Sequence, residues 1–186
     1  MIFFVKKRRR RRDDVRRMLL STASSARSAS LRIESIIQKL RERRNRLFDV
    51  ATKYLSQGYK DVAAFYSREV AQVDKMIKEL MKIQVALERV AIRAETIATT
   101  GVAVGYVSEL RDVIKELKKS IGGIIPEVSI ALSEVEEKLE SALIELNVQV
   151  NPDGSPNIVV SSEAERILRE AEEIARMKLE ETMLRR

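Results

Sequence analysis

The longest run of helical hydrophobic spacing in this chain lies between Tyr59 and Thr100. Apolar side chains recur there at alternating steps of four and three residues, which aligns them along one face of an α-helix. A second apolar row widens this face to about three of every seven residues, so the helix is expected to contact more than one neighbour. At about 1.5 Å per residue it would be long enough to make the molecule elongated. The second row, the predicted surface for polymerisation, consists of Met76, Ile83, Val90 and Ile97.

The residues before this helix carry the same spacing. Apolar positions repeat over residues 33–54, which predicts a second long helix. Only a few residues around Gly58 separate the two helices, and so short a turn makes neighbouring helices antiparallel. The sequence therefore predicts a long helical hairpin over residues 29–100. The Ser- and Ala-rich stretch 21–30 is interpreted as a joint, or as a weak first turn of the hairpin.

Shorter segments follow the hairpin. Helical spacing predicts a third helix over residues 106–121 and a fourth over residues 126–146, which together with the hairpin form a helical core over 29–146. A turn-rich linker over residues 147–162 leads to a C-terminal helix over 163–186. Glycines between these segments are expected to end helices and are also the candidate hinges: Gly101, Gly105, Gly122 and Gly123.

The tethered C-terminal helix is amphipathic. A short helix with one apolar face on a flexible tether is suited to docking, either onto the hairpin of the same chain or into a groove on another protein. The first contact would be autoinhibitory, and the second would recruit a partner. The residues expected to make either contact are Ile167, Leu168, Ala171, Ile174, Ala175, Lys178 and Leu179.

The composition agrees with an all-α protein. Of the 186 residues, 34% are charged, 4% are aromatic and three are prolines, a balance that is typical of long helices. The chain has no Cys and no His, which excludes thiolate chemistry, imidazole metal sites and Ser-His arrangements. No phosphate-binding loop or catalytic constellation is visible either. An enzymatic activity, a metal site and a cofactor are therefore not expected.

Charge divides the chain into a basic front and an acidic back. Residues 1–60 contain 18 Lys and Arg against 5 Asp and Glu, a net charge of +13. Residues 61–186 contain 17 Lys and Arg against 23 Asp and Glu, a net charge of −6. The basic front favours a polyanionic partner, and the acidic back could also fold onto it.

The first 28 residues are predicted to be a membrane-binding arm. A few apolar residues precede a run of cations, a segment too short to span a bilayer and unlike a secretory signal. Apolar side chains could enter the headgroup boundary while the cations pair with anionic lipid. The alternatives are a solvated tail and a nucleic-acid-binding arm, and the second is disfavoured because no aromatic platform or DNA-reading motif follows. The predicted membrane-binding residues are Ile2, Phe3, Phe4, Lys6, Lys7, Arg8, Arg9, Arg10, Arg11, Arg12, Arg16 and Arg17.

The order of parts, together with several short stretches of sequence, resembles the ESCRT-III family, most closely its archaeal cell-division branch of CdvB-type proteins. The resemblance covers about residues 30–175, and no winged-helix domain follows the core, so the chain resembles a shorter paralogue. The stretches that carry it are Leu47-Phe48, AAFYSREVA over 63–71, ALERVAIRAETI over 86–97, Ile125-Pro126-Glu127 and EAERILREA over 163–171.

The resemblance implies a protein that polymerises with its own copies and with related paralogues on anionic membranes. It implies constriction and cutting of membrane necks in archaeal cell division or vesicle formation, and a peripheral location on the cytoplasmic face of the cell membrane at the division site. It also implies disassembly by a Vps4-like AAA ATPase (CdvC) bound through the tail. The tail positions that follow the family's docking motif are Glu172, Ala175, Lys178 and Leu179, whereas Thr182 stands where an aliphatic residue is expected.

Other functions use the same helical architecture. A PspA- or Vipp-like membrane-maintenance protein would share the hairpin and the polymerisation. A coiled-coil stalk or scaffold subunit would need no membrane, and a nucleic-acid-binding coiled coil would use the basic front differently. Binding to anionic and neutral liposomes, followed by electron microscopy, distinguishes these alternatives.

Overall fold

The computed structural model describes residues 2–100, 104–121, 125–146 and 162–184, with side chains described from residue 13 to 181 within these ranges except at 104 and 162–165. The described residues form helices without a strand, which confirms the predicted all-α fold. No described helix combines the length and the apolar character that crossing a membrane requires. The helices are α1 (Ile2–Ser56), α2 (Lys60–Thr100), α3 (Val104–Ile121), α4 (Pro126–Glu145) and α5 (Ser162–Leu184).

The predicted hairpin is formed by α1 and α2, which pack against each other along their length. Gly58 has a φ of +85°, a left-handed conformation that glycine adopts without the steric cost a side chain would add. The turn is closed by backbone hydrogen bonds, with the Gly58 amide donating to the Leu55 carbonyl at 3.1 Å and the Tyr59 amide donating to the Tyr54 carbonyl at 3.0 Å. The chain therefore reverses within three residues.

The hydrophobic core is centred on α2, which contacts α1, α3 and α5, while α4 packs against α1 and α3. This arrangement explains why α2 has an apolar face wider than a two-helix contact requires. From Leu80 to Ala98 the helix is buried on several sides, and Ala86, Leu87, Val90, Ala91 and Ala94 are fully inaccessible to solvent.

The first helix begins much earlier than the sequence analysis predicts. Helix α1 runs without interruption through residues 21–30, so the expected joint is wrong. The boundary at residue 28 between arm and core is also wrong, because Val15 and Leu19 are already in the core.

The small residues of this stretch explain the continuity. Ala23, Ala26 and Ala29 are buried, and alanine is the residue that favours a helix most strongly. Small side chains also let a neighbouring helix approach closely, and Lys138 of α4 donates a hydrogen bond to the Ser21 hydroxyl at 3.0 Å. The Ser- and Ala-rich composition is therefore a close helix-packing surface.

The shorter helices lie near their predicted positions. Helix α3 begins at Val104, so Gly105 lies within it and does not precede it. Helix α4 begins with Pro126, which needs no hydrogen-bond partner for its nitrogen at the first helical position. The other candidate hinges, Gly101, Gly122 and Gly123, and residues 147–161 of the linker lie outside the described residues.

Candidate functional site

The membrane-binding arm falls mostly outside the described side chains. Helix α1 includes the backbone of residues 2–12, but their side chains, with Ile2, Phe3, Phe4 and the cations 6–12, are not described. Arg16 and Arg17 are exposed on the same helix, and Arg17 donates a hydrogen bond to Asp14 at 3.0 Å. The arm therefore continues directly into the helix that forms the hairpin.

Some cations of α1 stabilise the internal packing. The Arg27 guanidinium pairs with the Glu95 carboxylate of α2, and this hydrogen-bonded pair raises the pKa of Arg27 and lowers the pKa of Glu95. Arg44 Nε donates to Asp74 of α2 at 3.2 Å. These cations are neutralised within the chain, so they do not contribute to a surface for a polyanion.

Other cations of α1 remain available. They lie on the exposed side of the helix, and none of them forms an ion pair with another residue in the part of the chain that the structure describes. The exposed carboxylates Glu42 and Asp49 lie on the same side, but the cations outnumber them, so this side of α1 has a positive potential. We call this surface the cationic face; it consists of Lys39, Arg43, Arg46 and Lys53.

The predicted polymerisation row is placed differently. Ile83, Val90 and Ile97 are between 0% and 6% exposed and belong to the hydrophobic core shared by all five helices. In this conformation they are not available to neighbouring copies, because the shorter helices α3 and α5 pack on the helix that carries them, and their role in polymerisation stays a prediction. Met76 is only partly buried and lines a groove of about 280 Å³ with Leu80, Ile121 and Ile125 among its walls.

The terminal helix α5 packs onto α2 and α3 of the same chain. Its apolar face makes this contact: Ile167, Ala171 and Ala175 are buried. Leu168, Ile174 and Leu179 are partly buried against the same core, whereas Lys178 is exposed. Of the two docking alternatives in the sequence, the structure shows the intramolecular one.

Ion pairs surround the apolar contact of α5. Lys82 of α2 donates to Glu172 at 3.1 Å, and Arg89 lies 3.6 Å from Glu170. Partial burial lowers the pKa of Lys82, but its interactions with Glu172 and Glu79 outweigh this and raise the pKa above the ordinary lysine value. Two acidic residues of the tail therefore neutralise two cations of the hairpin.

The tail positions that match the ATPase-docking motif take part in this contact. Glu172 bonds to Lys82, Ala175 is buried and Leu179 is partly buried. While α5 lies on α2, the apolar positions Ala175 and Leu179 are covered, whereas Glu172 and Lys178 stay exposed. Docking of such a partner would therefore require α5 to separate from the hairpin.

Several features of the structure are not anticipated by the sequence analysis. Arg111 and Ser108 of α3 are buried, and each has a side-chain atom without a hydrogen-bond partner. Exposed aromatic side chains cluster at the hairpin turn. A count of aromatic residues along the chain could reveal this cluster, whereas no local pattern reveals which polar residue of a helix becomes buried. Among the described residues no group of acidic side chains is arranged to hold a metal ion.

Comparison with known proteins finds relatives in Sulfolobus acidocaldarius. Cell division protein B1 is 34% identical over 155 residues, which are 83% of this chain and 72% of the relative. Cell division protein B3 is 30% identical over 155 residues, which are 83% of this chain and 89% of the relative. Cell division protein B is 29% identical over 153 residues, which are 82% of this chain and 58% of the relative. No protein-family model and no solved structure matches the chain.

Proposed function

The chain belongs to the archaeal cell division protein B family, which is of the ESCRT-III type, and we propose that it polymerises on anionic membranes and constricts membrane necks. Similarity over most of the chain to proteins named for cell division supports a role in that process. The place of action in this proposal is the cytoplasmic face of the cell membrane at the division site. The role is structural: the protein acts as a polymer and not as an enzyme.

The observation that carries the membrane part of the proposal is the cationic face of α1. Each cation near an anionic bilayer contributes about 1 kcal/mol of attraction. A cation that is already paired within the protein would lose part of this gain, but Lys39, Arg43 and Lys53 are exposed and unpaired among the described residues. The three residues lie on the same exposed side of α1, so they can reach the same surface together.

The proposed partners are other copies, related paralogues and a Vps4-like ATPase. Contacts between different surfaces of identical copies generate filaments when the rotation from one copy to the next does not close a ring. The docked α5 covers part of α2 and uses residues that match an ATPase-docking motif. In this proposal, release of α5 therefore precedes both assembly and recognition by the ATPase.

Vesicle binding tests the proposal directly. The purified chain is mixed with vesicles of phosphatidylcholine alone or of phosphatidylcholine with phosphatidylglycerol, and bound protein is recovered by flotation and imaged by negative staining. We expect binding and filaments on the anionic vesicles only, with binding that decreases as salt increases. Filaments that form equally without lipid would instead indicate a scaffold that needs no membrane.

Charge-reversal variants separate the cationic face from net charge. Replacing Lys39, Arg43 and Lys53 with Glu should weaken vesicle binding by at least about two orders of magnitude, because losing three attractions of about 1 kcal/mol each already gives this factor and the new carboxylates add repulsion. The matched control carries the same change in net charge at exposed lysines elsewhere: Lys75→Glu, Lys78→Glu and Lys119→Glu. Equal loss of binding in both variants would show that net charge, and not this face, attracts the membrane.

A further inference from the structure

The closed end of the hairpin exposes a cluster of large apolar side chains. Phe48, Leu55, Tyr59 and Phe65 are each more than half exposed, and Val62 is 38% exposed. Every residue from 55 to 62 is exposed, so no other described helix covers this end. We call this region, residues 46–68, the hairpin tip. Leaving several large apolar groups in contact with water on one small surface is unfavourable, and such patches usually mark a binding site.

The aromatic rings of the hairpin tip are held in place by one another. Tyr54 stacks on Tyr66 with ring centroids 5.8 Å apart, and Tyr59 meets Tyr54 edge-on at 6.2 Å. Phe65 meets Tyr66 edge-on at 5.6 Å. These contacts link both helices across the turn, so the exposed rings form a rigid surface whose ordering cost on binding is low.

Cations are interleaved with these rings. Arg44 lies over the Phe48 ring, 5.3 Å from its centroid. Within the hairpin tip four cations and two carboxylates give a net charge of +2. All four cations are exposed: Arg46, Lys53, Lys60 and Arg68. The surface therefore combines aromatic rings, aliphatic side chains and excess positive charge.

We propose that the hairpin tip is a second membrane contact, which inserts its aromatic side chains shallowly into an anionic lipid interface. Tyr and Phe are suited to this depth because an apolar body enters the acyl boundary while a polar end or a neighbouring cation stays among the headgroups. The inference rests on the proposed membrane function and adds a site to it, distinct from the N-terminal arm.

Charge favours a lipid surface over a second copy at the same position. Two copies that meet through their tips would bring like charges together, whereas an anionic bilayer attracts both. The turn is also convex, a shape that a fluid interface accommodates without a preformed pocket. The acidic half of a second copy remains the competing occupant, which the experiment below separates from lipid.

The position of the tip determines how the molecule would lie on the membrane. Helix α1 has 55 residues and connects the predicted arm at its start to the tip at its end. At about 1.5 Å per residue these two contacts are about 80 Å apart. Contacts at both ends of α1, with the cationic face between them, hold that helix along the bilayer.

The chain has no Trp, so a single introduced Trp reports its own surroundings. We expect Phe65→Trp to shift its emission to shorter wavelength with anionic vesicles and to be quenched by brominated acyl chains. The control is Ile130→Trp on α4, at a residue of nearly equal exposure, 58% against 57%. Its emission should remain unshifted and unquenched.

Affinity provides the second measurement. Replacing Tyr59 and Phe65 with Ser should raise the apparent Kd for anionic vesicles about tenfold, because two partly inserted rings are lost. The control variant, with Ile130→Ser and Ile144→Ser, removes two apolar side chains elsewhere that are at least about as exposed, and it should bind normally. Unchanged helical circular dichroism and melting would show that both variants fold.

The outcomes separate this inference from the proposed function. If the unmodified chain does not bind anionic vesicles, both are overturned. If the chain binds but Phe65→Trp is not quenched, only the tip inference is overturned. A blue shift that follows protein concentration without lipid would assign the tip to a second copy and would also overturn it.

Discussion

Arg111 has a charged side chain in a buried environment. Its side chain is 1% exposed, and its Nε and Nη2 donate to Asp112 at 3.2 and 2.9 Å. Its Nη1 has no hydrogen-bond partner, and neither has the hydroxyl of Ser108 one turn earlier. A buried guanidinium with an unused donor loses hydration that its protein contacts do not restore.

Replacing Arg111 with Met should therefore stabilise this conformation. Met has a similar length and no donor to leave unsatisfied, and the Asp112 side chain that remains is 36% exposed and can be hydrated. The gain should be about 1–2 kcal/mol, within the cost of leaving one buried donor without a partner. For a chain of this size the melting temperature should rise by about 2–8 °C. Thermal unfolding followed by circular dichroism measures the change.

Lys115→Met on the same helix is the control for this prediction. Lys115 is partly exposed and lies 3.9 Å from Glu140, so removing its charge should change stability little. A lower melting temperature for Arg111→Met would mean that the pair with Asp112 stabilises the fold more than the unused donor destabilises it.

At the scale of helices, the size of the buried side chains explains why the sequence predicts α2 correctly and misses the first part of α1. The hairpin partner α2 is predicted within one residue because its apolar rows contain large residues such as Leu80 and Leu87. Residues 13–30 have helical spacing too, but Ala23, Ala26 and Ala29 occupy its buried positions. An alanine side chain has little apolar area, so a row of alanines is a weak signal that this face is buried.

Small residues also allow helices to pack closely. Replacing one of them with a larger residue should therefore disturb the packing. Ala26 of α1 is fully buried. Ala26→Leu should destabilise the fold by about 1–3 kcal/mol, because a packed core has no room for three additional carbons. Ser28→Leu, at an exposed position two residues away, should change stability little. Urea unfolding measures both, and equal stabilities would show that α1 is not tightly packed there.

The candidate site was predictable only in part, for a similar reason. Its residues on α5 follow a clear helical pattern and do form one contacting face. The row with Ile83 and Val90 also follows a clear pattern, but periodicity shows only that a face is apolar. Whether α5 of the same chain or a neighbouring copy covers it depends on the tertiary arrangement. A carboxylate at Ile83 would therefore disrupt the core of this conformation before it could test assembly.

For the whole molecule, the arrangement of α5 suggests a conformational equilibrium. The contact joins a small apolar face to two ion pairs that bridge α2 and α5, and exposed ion pairs contribute little to stability. Such a contact can be exchanged for contacts with neighbouring copies at a cost of only a few kcal/mol. The docked form would then be an inhibited state, and its release would expose α2.

Removing the tail tests this equilibrium. Truncation after Asn147 should increase vesicle binding and filament formation at a given protein concentration, because the apolar surface of α2 under α5 and the cations Lys82 and Arg89 become available. Charge reversal of the full-length tail, Glu170→Arg with Glu172→Arg, should act in the same direction but less strongly. Restoring the pairs with Lys82→Glu and Arg89→Glu should return assembly towards its original level. Light scattering and sedimentation with vesicles measure assembly and binding of the unmodified chain, the truncated chain and the two charge variants. If the truncated chain stays monomeric and binds no better than the full chain, α5 does not inhibit assembly.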